Sequence, residues 1–156
     1  MVKEIERKFL MDLTHWPRDT EGTPYRQGYL SVTEKGIVRV RIKGDIATLT
    51  VKSSGTGLSR DEFEYEIPID DAEALINLCQ NDIIEKTRYK IMAKGKLWDV
   101  DEFHGENSGL WLAEVELESE DESVTLPKWA IQEVTDDEKY YNAFLSKHPF
   151  LTWYNE

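Results

Sequence analysis

The chain has 156 residues, with 31 acidic and 19 basic side chains and a formal charge of −12 at pH 7. That length holds one domain with a real core and leaves no room for a second, so residues 1–156 read as a single domain. The charge argues against coating DNA or RNA, which recruit net positive surfaces, and a content of 40% hydrophobic and 11% aromatic residues excludes a disordered acidic chain.

The opening MVKEIERKFL has no apolar signal core. No stretch approaches the ~18 apolar residues of a membrane span. Cys79 is the only cysteine and has no partner for an internal disulfide. A cytoplasmic protein without nucleic-acid or membrane partners is expected; a homodimer is compatible with the sequence.

Apolar and polar residues then alternate in successive runs of five to eight, which predicts strands with one apolar and one polar face. In the first run Ile5 and Phe9 oppose Glu4, Glu6 and Lys8, with Arg7 an imperfection on the apolar side. In the second, Gly28, Leu30 and Val32 oppose Gln27, Tyr29 and Ser31. Val38, Val40 and Ile42 oppose Arg39, Arg41 and Lys43; Ala47, Leu49 and Val51 oppose Thr48, Thr50 and Lys52. Phe63, Tyr65 and Ile67 oppose Glu62, Glu64 and Glu66, with Arg60 continuing the charged series. Asp70-Asp71 then reads as the N-cap of a short amphipathic helix carrying Ala72, Leu75, Ile76 and Leu78.

Three more runs follow. Thr87, Tyr89 and Ile91 oppose Lys86, Arg88 and Lys90; Trp98 and Val100 oppose Asp99, Asp101 and Phe103; Ala113, Val115 and Leu117 oppose Glu114, Glu116 and Glu118. Residues 126–135 read as a turn leading into a short helix or strand. Asp136-Asp137 opens a second helix carrying Tyr140, Tyr141, Phe144 and Leu145, stopped before Pro149. Glu34-Lys35-Gly36, Lys43-Gly44-Asp45 and Lys94-Gly95-Lys96 mark tight hairpins, and residues 53–57 a longer one. The prediction is an α+β fold of eight antiparallel strands and two helices.

The polar faces carry charges in rows of one sign. Residues two apart on a strand lie about 6.6–6.8 Å apart on one face, where like charges repel strongly unless solvated or neutralised. A wetted sheet face accounts for any one such pair. Recurrence on some seven strands, acidic rows separate from basic ones, is not the mixed pattern of a solvated surface. Rows of carboxylates suit hard divalent cations, and rows of arginine and lysine suit phosphate oxygens. A curved sheet with both rows inside makes a pocket for a metal–polyphosphate complex, even in a protein of net charge −12.

Glu4-Ile5-Glu6-Arg7-Lys8 resembles the Glu-x-Glu-x-Lys signature of the CYTH superfamily, the triphosphate tunnel metalloenzymes. Gln27-Gly28-Tyr29-Leu30, Arg39-Val40-Arg41, Lys52, Arg60-Asp61-Glu62-Phe63-Glu64, Lys86-Thr87-Arg88-Tyr89, Asp101 with Phe103, Leu112-Ala113-Glu114-Val115-Glu116 and Glu133-Val134-Thr135 follow in that family's order. The resemblance runs from residue 2 to about residue 145 and is nearest to the small bacterial members. It implies an eight-stranded antiparallel β-barrel, a tunnel or cup with a charged interior and helices packed outside, the C-terminal helix closing one mouth.

It further implies Mg2+ or Mn2+ held by Glu4, Glu6, Asp101, Glu114 and Glu116, with Glu62 and Glu64 as weaker members. A small-molecule triphosphate would be gripped by Lys8, Arg39, Arg41, Lys52, Arg60, Lys86 and Arg88. The expected reaction is hydrolysis of a terminal phosphoanhydride, inorganic tripolyphosphate being the leading substrate. Lys8 and Tyr29 match a lysine–tyrosine pair proposed in some members to activate water, a role that needs the lysine pKa lowered from ~10.4.

A class IV-type adenylate cyclase or a thiamine triphosphatase on the same scaffold, and a non-catalytic polyphosphate- or nucleotide-binding module, are the rival readings. The chain has no base- or ribose-reading motif for a cyclase, and no carboxylate or first-strand lysine is missing as a mere sensor would allow. His15, His104 and His148 lack zinc-site spacing. Cys79 reads as a core residue, and the 53–57 loop lacks the ending of a nucleotide P-loop. Trp98, Trp111, Trp129 and Trp153 read as anchors between helices and the outside of the sheet, and Glu118–Glu122 as a solvated turn.

Overall fold

In the computed structural model, which describes residues 2–54, 58–79 and 81–155 (at 154 and 155 the backbone alone), the alternating runs become strands. These are β1 (Val2–Met11), β2 (Gly22–Thr33), β3 (Gly36–Lys43), β4 (Ile46–Ser53), β5 (Ser59–Ile67), β6 (Ile84–Ala93), β7 (Lys96–Phe103) and β8 (Trp111–Glu116). They pair antiparallel in the order β5-β4-β3-β2-β6-β7-β8-β1, and β1 returns to β5, closing the barrel. Of the loop expected at 53–57, residues 55–57 lie outside the described residues.

Closure depends on β1. One edge pairs with β8 from Glu6 to Leu10, setting Glu6 against Glu116 and Lys8 against Glu114. The other edge is shared. Val2–Ile5 pair with β5, with Glu4 against Arg60, and Phe9–Met11 pair with β9 (Ala130–Glu133). The segment read as helix or strand at 126–135 is thus a strand that covers the part of the β1 edge that β5 leaves bare, as an unprotected edge requires.

Three expectations on element bounds are corrected. β2 begins at Gly22, five residues before the alternating run, and accommodates Pro24. The β2–β3 register shifts between Tyr29 and Ser31, a bulge that reverses the phase, so Val32 lies beside Ile37 on the cavity wall rather than with Gly28 on the outer face. Helix α1 (Ile69–Ile76) is capped at Pro68, and Asp70 and Asp71 occupy its first turn, where carboxylates meet the positive end of the helix dipole. Its buried Ala72 and Ile76 pack on Val40, Ile42 and Ala47 outside β3 and β4, while Leu78 lies past its end, exposed.

The second predicted helix is broken in two. A single 3-10 turn, Glu138–Tyr140, is capped by the Asp137 carboxylate accepting from the Lys139 amide; Tyr141 is extended (φ −75°, ψ 138°); α2 (Asn142–Lys147) follows. Beyond Pro149 a further 3-10 turn, Phe150–Asn155, was not expected. α2 and this turn seal one mouth. There the cavity face of the barrel becomes apolar, and Tyr29, Ile84, Phe103 and Leu112 bury Leu145 with Leu10, Ile37, Phe150 and Trp153 around them. Burying Leu145 alone contributes about 2–3 kcal/mol.

On the opposite outer face, Phe9, Trp98, Val100, Ala113 and Val115 pack with Trp16 and Trp129. The tryptophans do anchor the outside of the sheet, but irregular chain and β9 cover them, not helices, and Trp153 belongs to the mouth. Among the described residues no helix is long and apolar enough to cross a membrane.

Candidate active site

A cavity of about 1110 Å³ occupies the barrel, lined by the polar faces of its strands. Arg39 and Arg41 reach in from β3, Lys86 and Arg88 from β6, and Tyr25 and Tyr29 from the intervening β2, with Gln27 buried beside Arg41. Against this basic wall stands an acidic one. Glu4 and Glu6 come from β1, Glu114 and Glu116 from β8, and Glu62 and Glu64 from β5. Lys52 reaches in from β4, between the two walls, while Lys8 on β1 and Arg60 on β5 stand within the acidic one.

Most cations of the cavity rest on a partner. Lys86 Nζ donates to Asp101 Oδ2 at 2.8 Å and to Asn142 Oδ1 at 3.0 Å. Arg88 binds the same carboxylate bidentately, Nε to Oδ1 and Nη2 to Oδ2, both at 2.8 Å. Lys52 Nζ meets Glu4 at 2.8 Å and Glu62 at 3.5 Å. Lys8 Nζ lies 3.5 Å from Glu114 Oε1 and donates to the Tyr140 carbonyl at 3.0 Å. The Tyr141 ring covers Arg60 (4.9 Å) and Lys8 (5.5 Å), held by its hydroxyl donating to the Thr135 carbonyl. This contact requires the extended backbone at Tyr141.

Arg39 and Arg41, like Arg60, have no carboxylate partner among the described residues. Arg41 Nε donates to Gln27 Oε1 at 2.7 Å. Arg39 donates to Thr50 Oγ1 at 3.5 Å, while its buried Nε has no hydrogen-bond partner among the described residues. A buried guanidinium N–H left unpaired is costly and fits an anion bound in the cavity.

The electrostatics follow from these contacts. Burial pushes the Glu6 carboxyl up to about 8, with Glu114 and Glu4 adding to the shift. Burial also raises Glu4, partly offset by Lys52. Glu114 moves the other way. Burial would raise it, yet Lys8 and Arg88 bring it down to about 2. Asp101 is likewise held far below the usual carboxylate range by Arg88 and Lys86, against its burial. Burial pushes Lys86 down to about 7 despite Asp101, and Arg41 down to about 9 with help from Arg39 and Arg88.

The structure brings the predicted residues to the lining of one cavity except Asp101, which lies behind it, with distinctions that alternation does not reveal. Asp101 is buried with both oxygens engaged by Lys86 and Arg88. Glu64 and Glu116 are exposed, and Glu64 accepts from Thr50. Lys8 and Tyr29 are not joined by a hydrogen bond; the Tyr29 hydroxyl accepts from Gln27 Nε2 at 3.3 Å. No three acidic, histidine or cysteine side chains among the described residues converge closely enough to hold an ion as they stand. The donor set of Glu4, Glu6, Glu114 and Glu116 is nonetheless oxygen-only and carries repulsion that a hard divalent cation relieves, so it fits such an ion.

Sequence reasoning missed Tyr25, Tyr141 and Asn142. Extending the period-two pattern back from Gln27 and Tyr29 would have found Tyr25; nothing local marks the other two.

The sequence profile of the CYTH domain matches residues 2–147. The chain is 45% identical to an inorganic triphosphatase of Acetivibrio thermocellus over 151 residues, covering 96% of this chain and 97% of that one. It is 40% identical to an inorganic triphosphatase of Nitrosomonas europaea over 149 residues, covering 93% and 97%. A crystal structure of an inorganic triphosphatase superposes with a TM-score of 0.68 at 37% identity, covering 94% of this chain and 95% of that one. A putative adenylate cyclase of Bacillus halodurans, at 19% identity and a TM-score of 0.59, shares the fold.

Proposed function

The chain belongs to the CYTH family, and on that premise we propose that it is a metal-dependent hydrolase of a linear triphosphate, inorganic tripolyphosphate above all. One observation carries the reading: a basic wall, with a buried Arg39 Nε unpaired among the described residues, faces a carboxylate wall across the barrel cavity. The curated relatives that cover almost this whole chain are inorganic triphosphatases.

Phosphoryl transfer asks a protein for positioning and charge neutralisation more than for covalent chemistry. Arg39, Arg41, Lys86 and Arg88 bind and orient the phosphate oxygens, and they stabilise charge on the transferred group. Glu4, Glu6, Glu114 and Glu116 would hold the divalent ion, Mg2+ or Mn2+. When bound, that ion supplies neutralisation of phosphate charge and a polarised water. We assign Asp101 to holding Lys86 and Arg88 rather than the ion, since both of its oxygens are engaged. We assign Lys8, an ammonium donor to the Tyr140 carbonyl beside Glu114, to binding phosphate oxygens. Tyr29 orients Gln27, which in turn fixes Arg41. The free thiol Cys79 accords with a cytoplasmic setting.

The test is incubation of purified protein with tripolyphosphate, ATP and thiamine triphosphate, each with magnesium or manganese, following phosphate release and chromatography. Phosphate release fastest from tripolyphosphate is expected. Cyclic AMP from ATP, or binding of all three without turnover, would overturn the assignment.

A further inference from the structure

Tyr25 occupies the centre of the basic wall. Its cross-strand partners are Lys43 on β3 and Lys86 on β6, and Arg41 and Arg88 are the diagonal neighbours two residues along those strands. All four cations approach its ring. The Cζ atoms of Arg41 and Arg88 each lie 5.0 Å from the ring centroid, and the Nζ atoms of Lys43 and Lys86 each lie 5.9 Å from it. The ring is 4% exposed and lines the cavity.

The residue type at this position matters because the four cations repel one another. A carboxylate here would neutralise them and compete with an incoming anion. An aliphatic side chain would leave the repulsion opposed only by Asp101, which lies on Lys86 and Arg88. An aromatic face attracts cations through its quadrupole without adding a formal negative charge, so it orders the cluster and leaves its charge available. The dependence is greatest for Arg41. Arg88 is fixed by Asp101, whereas Arg41 has only the neutral Gln27 oxygen and this ring.

We propose that Tyr25 is a positioning residue whose ring face, not its hydroxyl, holds Arg41 against Arg88 at the spacing with which they meet a polyphosphate chain. This rests on the triphosphatase reading and adds to it a determinant of substrate affinity outside the charged residues.

Steady-state hydrolysis of tripolyphosphate is measured for the full-length protein and for Tyr25→Leu, Tyr25→Phe and the same position carrying phenylalanine with one, two or three ring fluorines. Fluorination drains the ring face with little change in shape. Thermal unfolding of each variant is followed alongside. Expected results are a KM raised about tenfold in Tyr25→Leu, a wild-type KM restored in Tyr25→Phe, and a KM that climbs with each fluorine while the unfolding temperature stays level. A KM in Tyr25→Leu equal to wild type, or one flat across the fluorine series, overturns the proposal. So does a Tyr25→Phe that behaves like Tyr25→Leu, since the hydroxyl would then be the active group. Wild-type protein that fails to hydrolyse tripolyphosphate would instead sink the triphosphatase reading, so the two failures are told apart.

Discussion

Replacing Glu6 by glutamine removes the most repelled carboxylate of the acidic wall. Glu6 faces Glu116 across the β1–β8 pairing, and its carboxyl is pushed from 4.5 up to about 8 by burial, then by Glu114 and Glu4. Without a metal, the folded protein holds a proton that the unfolded chain releases above pH 4.5. The stability this contributes is complete below that pH and is lost as pH rises through 8. At about 1.4 kcal/mol per pKa unit, the interval bounds the loss at about 5 kcal/mol. Sharing of charge among Glu4, Glu6 and Glu114 reduces the expected figure to about 1–3 kcal/mol.

Glutamine carries no such penalty. With chelator present, Glu6→Gln should unfold at the wild-type temperature at pH 5. At pH 8.5 it should unfold higher, by about 2–4 °C for each kcal/mol recovered. Magnesium should reverse the order at pH 8.5, because the ion stabilises only the protein that binds it, and metal-dependent turnover should be lost. A difference between wild type and variant that is the same at both pH values in chelator would refute this account of the wall.

Asp101→Asn leaves Lys86 and Arg88 buried without their shared carboxylate. It should cost about 3–5 kcal/mol in denaturant unfolding; a cost below about 1 kcal/mol would remove Asp101 from its structural role. Arg41→Lys keeps the charge but loses the fork and the bond to Gln27, so KM for tripolyphosphate should rise about tenfold with unfolding little changed. Gly28→Ala would set a Cβ 2.6 Å from Cys79 Sγ and 2.9 Å from Ile83 Cδ1 on the outer face. Overpacking there should cost about 1–3 kcal/mol while KM stays at its wild-type value, and a raised KM would show that the outer layer reaches the cavity.

The strands were legible because every barrel strand has one face packed and one face in the cavity, which writes a period of two into the chain. Val38-Val40-Ile42 against Arg39-Arg41-Lys43 is read correctly without a structure. What escapes is what depends on register or on distant chain. The bulge after Tyr29 moves Val32 to the cavity, and no local residue announces it. The start of β2, and with it Tyr25, lies before the alternating run, which begins at Gln27. Asp101 and Glu114 look alike in the alternation, but Asp101 is cross-strand partner to Arg88 while Glu114 is partner to Lys8. That difference in register separates a carboxylate with both oxygens engaged from one held at 3.5 Å. Tyr141 and Asn142 enter the cavity only because the C-terminal segment folds back across the barrel, a tertiary contact more than 50 residues away in sequence from Lys86.

The cavity also resolves how an acidic protein can take up a polyanion. Among the described residues its lining holds ten acidic and ten basic side chains, so the wall is formally neutral and draws on half of the 19 basic residues but a third of the 31 acidic ones. Neutrality is local pairing, not absence of charge. Lys52 lies on Glu4 and Glu62, and Lys8 on Glu114. On the proposed assignment, a divalent ion that took Glu4 or Glu114 would free an ammonium group for phosphate, and a phosphate that took the ammonium would free a carboxylate for the ion. Each ligand removes the other's competitor, so the coupling between them is reciprocal by thermodynamic necessity. The like-charged rows that repel one another in an empty barrel would become complementary if ion and triphosphate entered together.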